Sequence, residues 1–499
     1  MVFTTQIFLF IFFPLCVLIY FLADKSENLG RVGDFFVKIR LKDLVLIGFS
    51  FGFYAWACFN DIFWFILYIL TVYLFARIVE NAKKKRRYIS VCSEETDVPE
   101  KRFYFSVIPL VISVFFVLLC LVYYKYFNFL SGIINTVFDR EAGMKTVLAP
   151  LGLSFITFSA VSYLIDIYRG KASAGSLLDC ALFLSFFPKV VSGPIVLWRD
   201  FQKQIGNRSM TLNMSSSGIQ LITIGFAKKV LLADTFGSCL SSIGLTGIDS
   251  LTAAGTLILY MLQIYYDFSG YSDIAIGTAK IFGFEFKANF CYPYRSVSIS
   301  EFWRRWHISL GTWFREYVYF PLGGSREGLK KTLRNLGVVF LLTGIWHGAG
   351  WNYILWGISH GVCVIVERVV KDKPVYQRIP DFVKWICTML IVMILWQCFR
   401  FQNLGDIVSL MKILFGMADF DYVYYTWQYY FDAQIITLVS VGILGATVWG
   451  HPEIQKRRET MVSSNVGYVL QWLLFLILFL LAVITMVSSN YSPFIYFQY

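Results

Sequence analysis

Leu-Gly-Val-Val-Phe-Leu-Leu-Thr-Gly-Ile-Trp-His-Gly-Ala-Gly-Trp-Asn-Tyr-Ile-Leu-Trp-Gly-Ile-Ser-His-Gly-Val-Cys-Val-Ile-Val (336–366) is 31 residues long and holds no Asp, Glu, Lys or Arg. As a single helix it would measure about 46 Å. The hydrocarbon core of a bilayer is about 30 Å thick. The run is too long for one straight span, and Gly348 and Gly350 in Trp346-His347-Gly348-Ala349-Gly350-Trp351 offer a break. Irregular backbone at membrane depth is tolerated only where it faces protein or a water-filled cavity. His347 is therefore expected to line a cavity inside the membrane, and an ionisable residue there is a candidate functional site. The competing expectation is a structural His bonded to a neighbouring helix.

The rest of the chain agrees with a membrane setting. Of its 499 residues, 57% are hydrophobic, 19% aromatic and only 15% charged. Soluble domains carry about 25% charged residues, so a soluble enzyme and a disordered chain are excluded. Ten Cys in 499 residues, none in a C-x-x-C pair, are too sparse for a disulfide scaffold or a redox centre and read as small apolar residues. Apolar runs of spanning length fall near 4–23, 43–59, 61–79, 103–125, 148–167, 178–197, 217–235, 251–266, 336–366, 381–400, 434–450 and 467–488. The fold class is an all-α polytopic membrane protein, organised as one membrane domain over 1–499. The first run has no basic flank and no small-residue cleavage site, so it reads as a retained helix.

The net charge of +12 does not call for nucleic acid, because the basic residues sit in short loops between apolar runs. Lys25, Arg31, Lys38, Arg40 and Lys42 lie on one side of the hairpin 43–79, and Lys83, Lys84, Lys85, Arg86 and Arg87 follow it. Both loops belong in the cytoplasm by the positive-inside rule. The N-terminus is then outside. Lys456, Arg457 and Arg458 before the last run place the C-terminal tail, 490–499, outside as well.

The stretch from 267 to 334 departs from the pattern. Pro293 ends any helix before it, and Ser298 with Glu301 forms a capping box for a new one. That helix mixes Phe302, Trp303 and Trp306 with Arg304, Arg305 and His307, the signature of an interfacial or re-entrant element over 296–334. It is either a surface anchor or a cytoplasmic gate. His360 lies 13 residues beyond His347, about 220° around a continuous helix, so it reads as structural unless the glycine break realigns it. His451 gets no role. Gly48-Phe49-Ser50-Phe51-Gly52 and Gly357-Ile358-Ser359-His360-Gly361 match a nucleophile elbow by chance, since both lie in apolar helical runs. No metal motif or phosphate loop occurs. A lone imidazole in a cavity suits general-base work.

These residues resemble the membrane-bound O-acyltransferase superfamily, and within it the bacterial alginate O-acetylase branch, with the teichoic-acid D-alanyl transferase as a relative. The resemblance rests on Tyr-Tyr-Asp-Phe-Ser-Gly-Tyr-Ser-Asp-Ile-Ala-Ile-Gly (265–277), Asn289-Phe290, Pro293-Tyr294, Glu-Phe-Trp-Arg-Arg-Trp-His-Ile-Ser-Leu (301–310) and Tyr-Val-Tyr-Phe-Pro-Leu-Gly-Gly-Ser-Arg (317–326). Trp346-His347-Gly348-Ala349, Pro150 to Phe155 and Phe186 to Ile195 fit as well. It implies a ring of tilted transmembrane and re-entrant helices around a central tunnel. It implies His347 as the catalytic His and His307 as the second, cytoplasmic-side His. It implies acyl transfer from a cytoplasmic thioester, acetyl-CoA, with no bound cofactor or metal, and hand-over to a separate extracytoplasmic acetyltransferase in the inner membrane of a bacterium. A Phe-Ile-Tyr-Phe-Gln tail is similar to that branch, which makes Tyr496 a possible acyl relay beside its plainer reading as an interfacial anchor.

In the expected mechanism His347 takes the proton of an attacking hydroxyl. His307, or a helix donor beside it, orients the donor or steadies the oxyanion. Arg304 and Arg305 attract donor phosphate or lipid headgroups. Three other readings stand beside it: a carrier-fed D-alanyl transferase, a transporter or flippase, and a non-catalytic scaffold of a polysaccharide synthase.

Overall fold

The computed structural model describes residues 2–28, 40–92, 100–138, 146–418, 422–488 and 494, with no side chain described between 86 and 105. The described residues are helical or irregular, with a single isolated bridge between Ile248 and Tyr425 and no strand. They divide into two compact units, 1–219 with 275–287, and 220–274 with 288–499.

The first unit contains α1 (Phe13–Asn28), α2 (Leu41–Ala57), α3 (Ile62–Cys92), α4 (Glu100–Phe138) and α5 (Leu153–Arg169). α6 (Leu177–Ser185), α7 (Phe187–Val190) and α8 (Trp198–Ile205) follow. The run 178–197 is not one span. Phe186 turns out of helical geometry after α6, and Pro188, which has no N–H to give, sits in the first turn of α7. Rings of Phe3, Phe8, Phe12, Phe53 and Phe187 pack at 4.9–6.4 Å and form the apolar heart of this unit. Ser50, the middle of the first elbow match, lies within α2 and accepts the Phe187 N–H at 3.1 Å. It is no nucleophile elbow.

α9 (Leu212–Phe226) passes through a π-helical turn, Ala227–Ala233, into α10 (Asp234–Ser242), and α11 (Ser250–Ile281) follows. The departure expected at 267 begins later, because α11 stays helical to Ile281. In the second unit, Gly225 of α9 and Gly270 of α11 approach so closely that a Cβ on Gly225 would lie 2.5 Å from the Gly270 carbonyl. That contact brings Lys229 to Asp267 at 2.7 Å and Lys228 to Asp273 at 2.6 Å.

Then come α12 (Ile299–Arg305), α13 (Ile308–Phe314), α14 (Leu329–His347), α15 (Trp351–Val370), α16 (Pro374–Gln377), α17 (Asp381–Leu395) and α18 (Gln397–Arg400). The rest of the unit is α19 (Leu404–Leu414), α20 (Trp427–Tyr430), α21 (Ala433–Ala446), α22 (Pro452–Val462) and α23 (Asn465–Ser488). The long uncharged run breaks where its glycines stand: α14 ends at His347 and α15 begins at Trp351. The two helices return along each other through Gly344 and Gly357, where a Cβ on Gly357 would meet the Phe340 carbonyl at 2.6 Å. The second elbow match is therefore a packing seam.

Seven helices among the described residues are long and apolar enough to cross a membrane: Phe8–Ser26, Phe59–Lys85, Ser106–Phe138, Trp351–Val370, Asp381–Arg400, Ala433–Gly450 and Asn465–Ser488. Several presents outward apolar side chains at helical spacing, such as Leu470, Leu474, Ile477, Leu481 and Ile484 on α23. The other expected runs form shorter or more polar helices, as with the 17 residues of α5.

Candidate active site

His347, the last residue of α14, lies among three rings, at 4.9 Å from Trp346, 4.9 Å from Trp356 and 5.1 Å from Phe399. Its exposure is 6%. The expected cavity-lining ring is thus held inside an aromatic cluster. The break around it is sterically specified: a Cβ on Gly348 would lie 2.1 Å from the Tyr353 ring. Asn352, in the first turn of α15, donates to the carbonyls of Cys398 at 2.8 Å and Phe401 at 3.3 Å. This ties the restart of the helix to α18, whose Phe399 touches His347.

The break also changes the relation between His347 and His360. Both rings contact Trp356, His360 at 5.1 Å. Trp303 donates through its indole N–H to His360 Nδ1 at 3.3 Å and crosses its ring at 5.0 Å. His360 is fully buried in a Trp303–Trp356–Trp396 enclosure. The structural reading of this residue fits that setting.

His307 is built differently. Ser298 caps α12 by accepting the Glu301 N–H at 3.1 Å, and Glu301 accepts the Val297 N–H at 3.0 Å. The sequence reading put His307 on this helix, but the helix stops at Arg305, and His307 lies in the joint before α13. Two backbone bonds across the chain force the stop: Cys291 N–H to Arg305 O at 3.0 Å and Ile308 N–H to Asn289 O at 2.9 Å. His307 takes φ 45° and ψ 53°, left-handed geometry that it shares, among described non-glycine residues, only with Tyr292. Such a conformation costs on the order of 1–3 kcal/mol and persists where the surroundings enforce it.

Asn289 fixes the imidazole. Its Oδ1 accepts the Ser309 N–H at 3.2 Å and the Ser309 hydroxyl at 2.9 Å, while its Nδ2 donates to Ser272 at 3.1 Å. A backbone N–H can only donate, so the amide orientation is settled. His307 Nδ1, 3.2 Å from the same oxygen, must carry the proton. Nε2 is then a lone pair, and it is buried with no hydrogen-bond partner. Burial pushes the His307 pKa down to about 3, so the ring is neutral at physiological pH. Its Nε2 accepts and does not donate.

The two site histidines flank one ring: Trp346 lies 4.9 Å from His347 and 6.3 Å from His307. Phe268 crosses His307 at 4.7 Å, and Phe494 reaches the same cluster, 6.0 Å from Phe268 and stacked 4.6 Å from Tyr271. Tyr496 lies outside the described residues. Arg305 is committed to Glu301 at 2.8 Å, whereas Arg304 is exposed. Among the described residues no group of three or more His, Cys, Asp or Glu is placed to hold a metal ion. Sequence reasoning missed Asn289, Asn352 and the Lys229–Asp267 pair. Asn289-Phe290 was visible as a motif, but nothing local told that its amide holds a His 18 residues away.

The model of the membrane-bound O-acyltransferase family, MBOAT, matches residues 46–401. The chain is 34% identical to a probable alginate O-acetylase AlgI of Pseudomonas putida, across 100% of both chains. It is 30% identical to a peptidoglycan O-acetyltransferase of Helicobacter pylori, over 84% of this chain and 80% of the relative. It is 32% identical to a teichoic acid D-alanyltransferase of Streptococcus thermophilus, over 45% of this chain and 58% of the relative. With a family match over more than half its length and a relative aligned end to end, this multi-pass chain belongs to the membrane-bound O-acyltransferase family.

Proposed function

We propose that the protein takes an acetyl group from acetyl-CoA on the cytoplasmic side of a bacterial inner membrane and passes it outward for O-acetylation of an exported or cell-surface polysaccharide. The observation that carries this is similarity along the whole chain to proteins named as alginate O-acetylases, joined to an imidazole at a helix break in the matched region. The alternative, D-alanyl transfer from a carrier protein, rests on relatives that align with 45–50% of the chain.

In this mechanism the acceptor hydroxyl attacks the thioester carbonyl. Its O–H proton goes to His347, its oxygen forms the new ester bond, and the C–S bond breaks. The proton then returns to the departing thiolate. A base so placed contributes about 10²–10⁴-fold. His307, through Nε2, receives an N–H or O–H of the substrate and holds it in register. Trp346, Trp356 and Phe399 keep water from the thioester, which suppresses hydrolysis.

The positive-inside pattern supports a cytoplasmic donor and an outer C-terminal tail. Tyr496 in that tail is a candidate relay to a separate extracytoplasmic acetyltransferase. Arg304 is the remaining candidate for donor phosphate.

Membranes containing the protein, supplied with labelled acetyl-CoA or with a D-alanyl-charged carrier, separate the two enzymes. Label from acetyl-CoA that reaches product in the wild type and is lost in His347→Ala supports the proposal. Label only from the carrier, or full activity in His347→Ala, overturns it. Tyr496→Phe stops transfer to the outer partner if the tail is a relay and leaves it intact if the tail is an anchor.

A further inference from the structure

A cleft of about 340 Å³ in the second unit is lined by Arg295, Trp385, Thr447, Val448, His451 and Ile454, and neither site histidine belongs to it. Arg295 closes the short turn Pro293–Arg295. Its Nη1 donates to the Gly450 carbonyl, and among the described residues no carboxylate forms an ion pair with it. A guanidinium has five N–H donors and keeps its charge at physiological pH. One carbonyl occupies one donor and neutralises nothing. The other polar groups are accounted for. Thr447 donates its hydroxyl to the Ile443 carbonyl at 2.5 Å, and Trp385 its indole N–H to the Tyr294 carbonyl at 2.8 Å. His451 Nδ1 accepts the Glu453 N–H at 3.3 Å, so Nε2 carries the ring proton and donates. Among the described residues no Asp or Glu lines the cleft. Its chemistry is that of an anion site.

The fold holds Arg295 there. Tyr292, at φ 46°, lays its ring on Gly450, where a Cβ would lie 2.3 Å from it. Gln455 of α22 ties the two sides together, donating to the Tyr292 hydroxyl at 3.2 Å and the Trp449 carbonyl at 2.5 Å. The cleft lies where two spans end: Asp381–Arg400 begins four residues before Trp385, and Ala433–Gly450 ends between Val448 and His451. Lys371, Lys373 and Arg378 precede the first span, and Lys456, Arg457 and Arg458 follow the second. By the positive-inside rule both mark the cytoplasmic side, and Trp385 stands where interfacial tryptophans belong. Val448 is exposed and Ile454 half-buried, so the cation has an apolar edge beside it.

We propose that this cleft binds the headgroup phosphate of an anionic phospholipid of the cytoplasmic leaflet. Arg295 pairs with the phosphate, His451 Nε2 donates to it, and Trp385, Val448 and Ile454 meet the glycerol and the start of the acyl chains. Basic pockets between transmembrane helices on this side hold such headgroups. A soluble phosphate has no use for the apolar edge, whereas a lipid presents both chemistries at this depth. The site stands apart from the acyl-transfer reading and does not depend on it.

The test is lipid binding. Purified full-length protein, delipidated in a neutral detergent, is titrated with phosphatidylglycerol or phosphatidylcholine, and the adducts are counted by native mass spectrometry. The tightest site is expected to prefer phosphatidylglycerol by about fivefold, the worth of one cation at a membrane surface. Arg295→Gln abolishes the preference and Arg295→Lys keeps most of it. Ile454→Trp keeps the charge, fills the cleft and also abolishes it, which serves if loss of the Gly450 contact unfolds Arg295→Gln. Lys330→Gln, which removes an exposed cation outside the cleft, leaves the preference intact. Equal binding of the two lipids by the wild type, or full preference in Ile454→Trp, overturns the proposal. An equal fall in Lys330→Gln also overturns it and leaves only diffuse surface attraction. Displacement of phosphatidylglycerol by CoA or inorganic phosphate, lost in Arg295→Gln, overturns it in favour of a soluble phosphate.

Discussion

Two buried polar regions of this chain follow opposite rules. Around Arg208, in the first unit, every charge is answered. Arg208 pairs with Asp43 and donates to Tyr20 at 3.2 Å and the Ile205 carbonyl at 2.7 Å. Arg40 pairs with Asp43 at 2.7 Å and with Asp179, and Lys42 pairs with Asp24 at 3.1 Å. Around His347 and His307, in the second unit, bonds are left open: Nε2 of His307, Oε1 of Gln397 and Nη1 of Arg400 have no hydrogen-bond partner. The first pattern holds a fold together. The second leaves buried polar valences open beside the candidate site, and an open buried polar group calls for an explanation. Substitutions in the first region are expected to move stability, and substitutions in the second to move turnover.

The largest effect that sharpens the contrast is in the second region. His347→Gln, close in size but no base at neutral pH, is expected to lower acyl transfer by about 10²–10⁴-fold. Its thermal unfolding in detergent stays near the wild-type midpoint. A stability loss equal to the activity loss would merge the two regions into one kind.

Arg208→Met is the mirror experiment. It leaves Asp43 buried with one partner removed, and breaking a buried pair costs about 3–5 kcal/mol. Arg40 still holds one Asp43 oxygen, so the lower end, about 3 kcal/mol, is expected as a fall in the unfolding midpoint. Arg304→Met, on an exposed side chain of the second unit, serves as the control and leaves the midpoint unchanged.

Asn289→Ala tests whether the open valence of His307 is held open on purpose. The imidazole loses the acceptor that fixes its tautomer, and the Ser309 donors lose theirs. A fall of about ten- to a hundredfold in kcat/KM is expected. Asn289→Asp restores the acceptor and adds charge, which raises the His307 pKa and moves the acid limb of the pH–rate profile upward. A merely structural Asn289 would leave that limb where it is.

How far these regions were legible in the sequence differs for a physical reason. The break at His347 was readable because it is a length argument: an uncharged run longer than a bilayer must bend, and glycines mark where. The realignment of His360 onto Trp356 was left open, since it depends on how tightly Gly344 and Gly357 let two backbones approach. The start of α12 was written in Ser298 and Glu301. Its end was not, because Arg305 and Ile308 are bonded to Cys291 and Asn289, across a loop whose path no local propensity specifies. The same holds for Asn352 and the Cys398 carbonyl, 46 residues apart. Lys228 and Lys229 lie inside the run 217–235, and their partners Asp273 and Asp267 depend on the register of α9 against α11, set by Gly225 and Gly270.

The smallest expected effect is a pH dependence of stability. Burial lowers the His307 pKa from 6.5 to about 3. Between those values the unfolded chain binds a proton that the folded chain does not. Stability therefore rises with pH through this window and is lost as pH falls below 6.5. From pH 7.5 to 5.5 the wild type should lose about 1.4 kcal/mol more than His307→Gln, which has no group to titrate there. Matched unfolding curves at the two pH values measure the difference. Identical slopes for both proteins would mean that His307 is already solvated or protonated in the fold, and the open lone pair at the centre of the contrast would not exist.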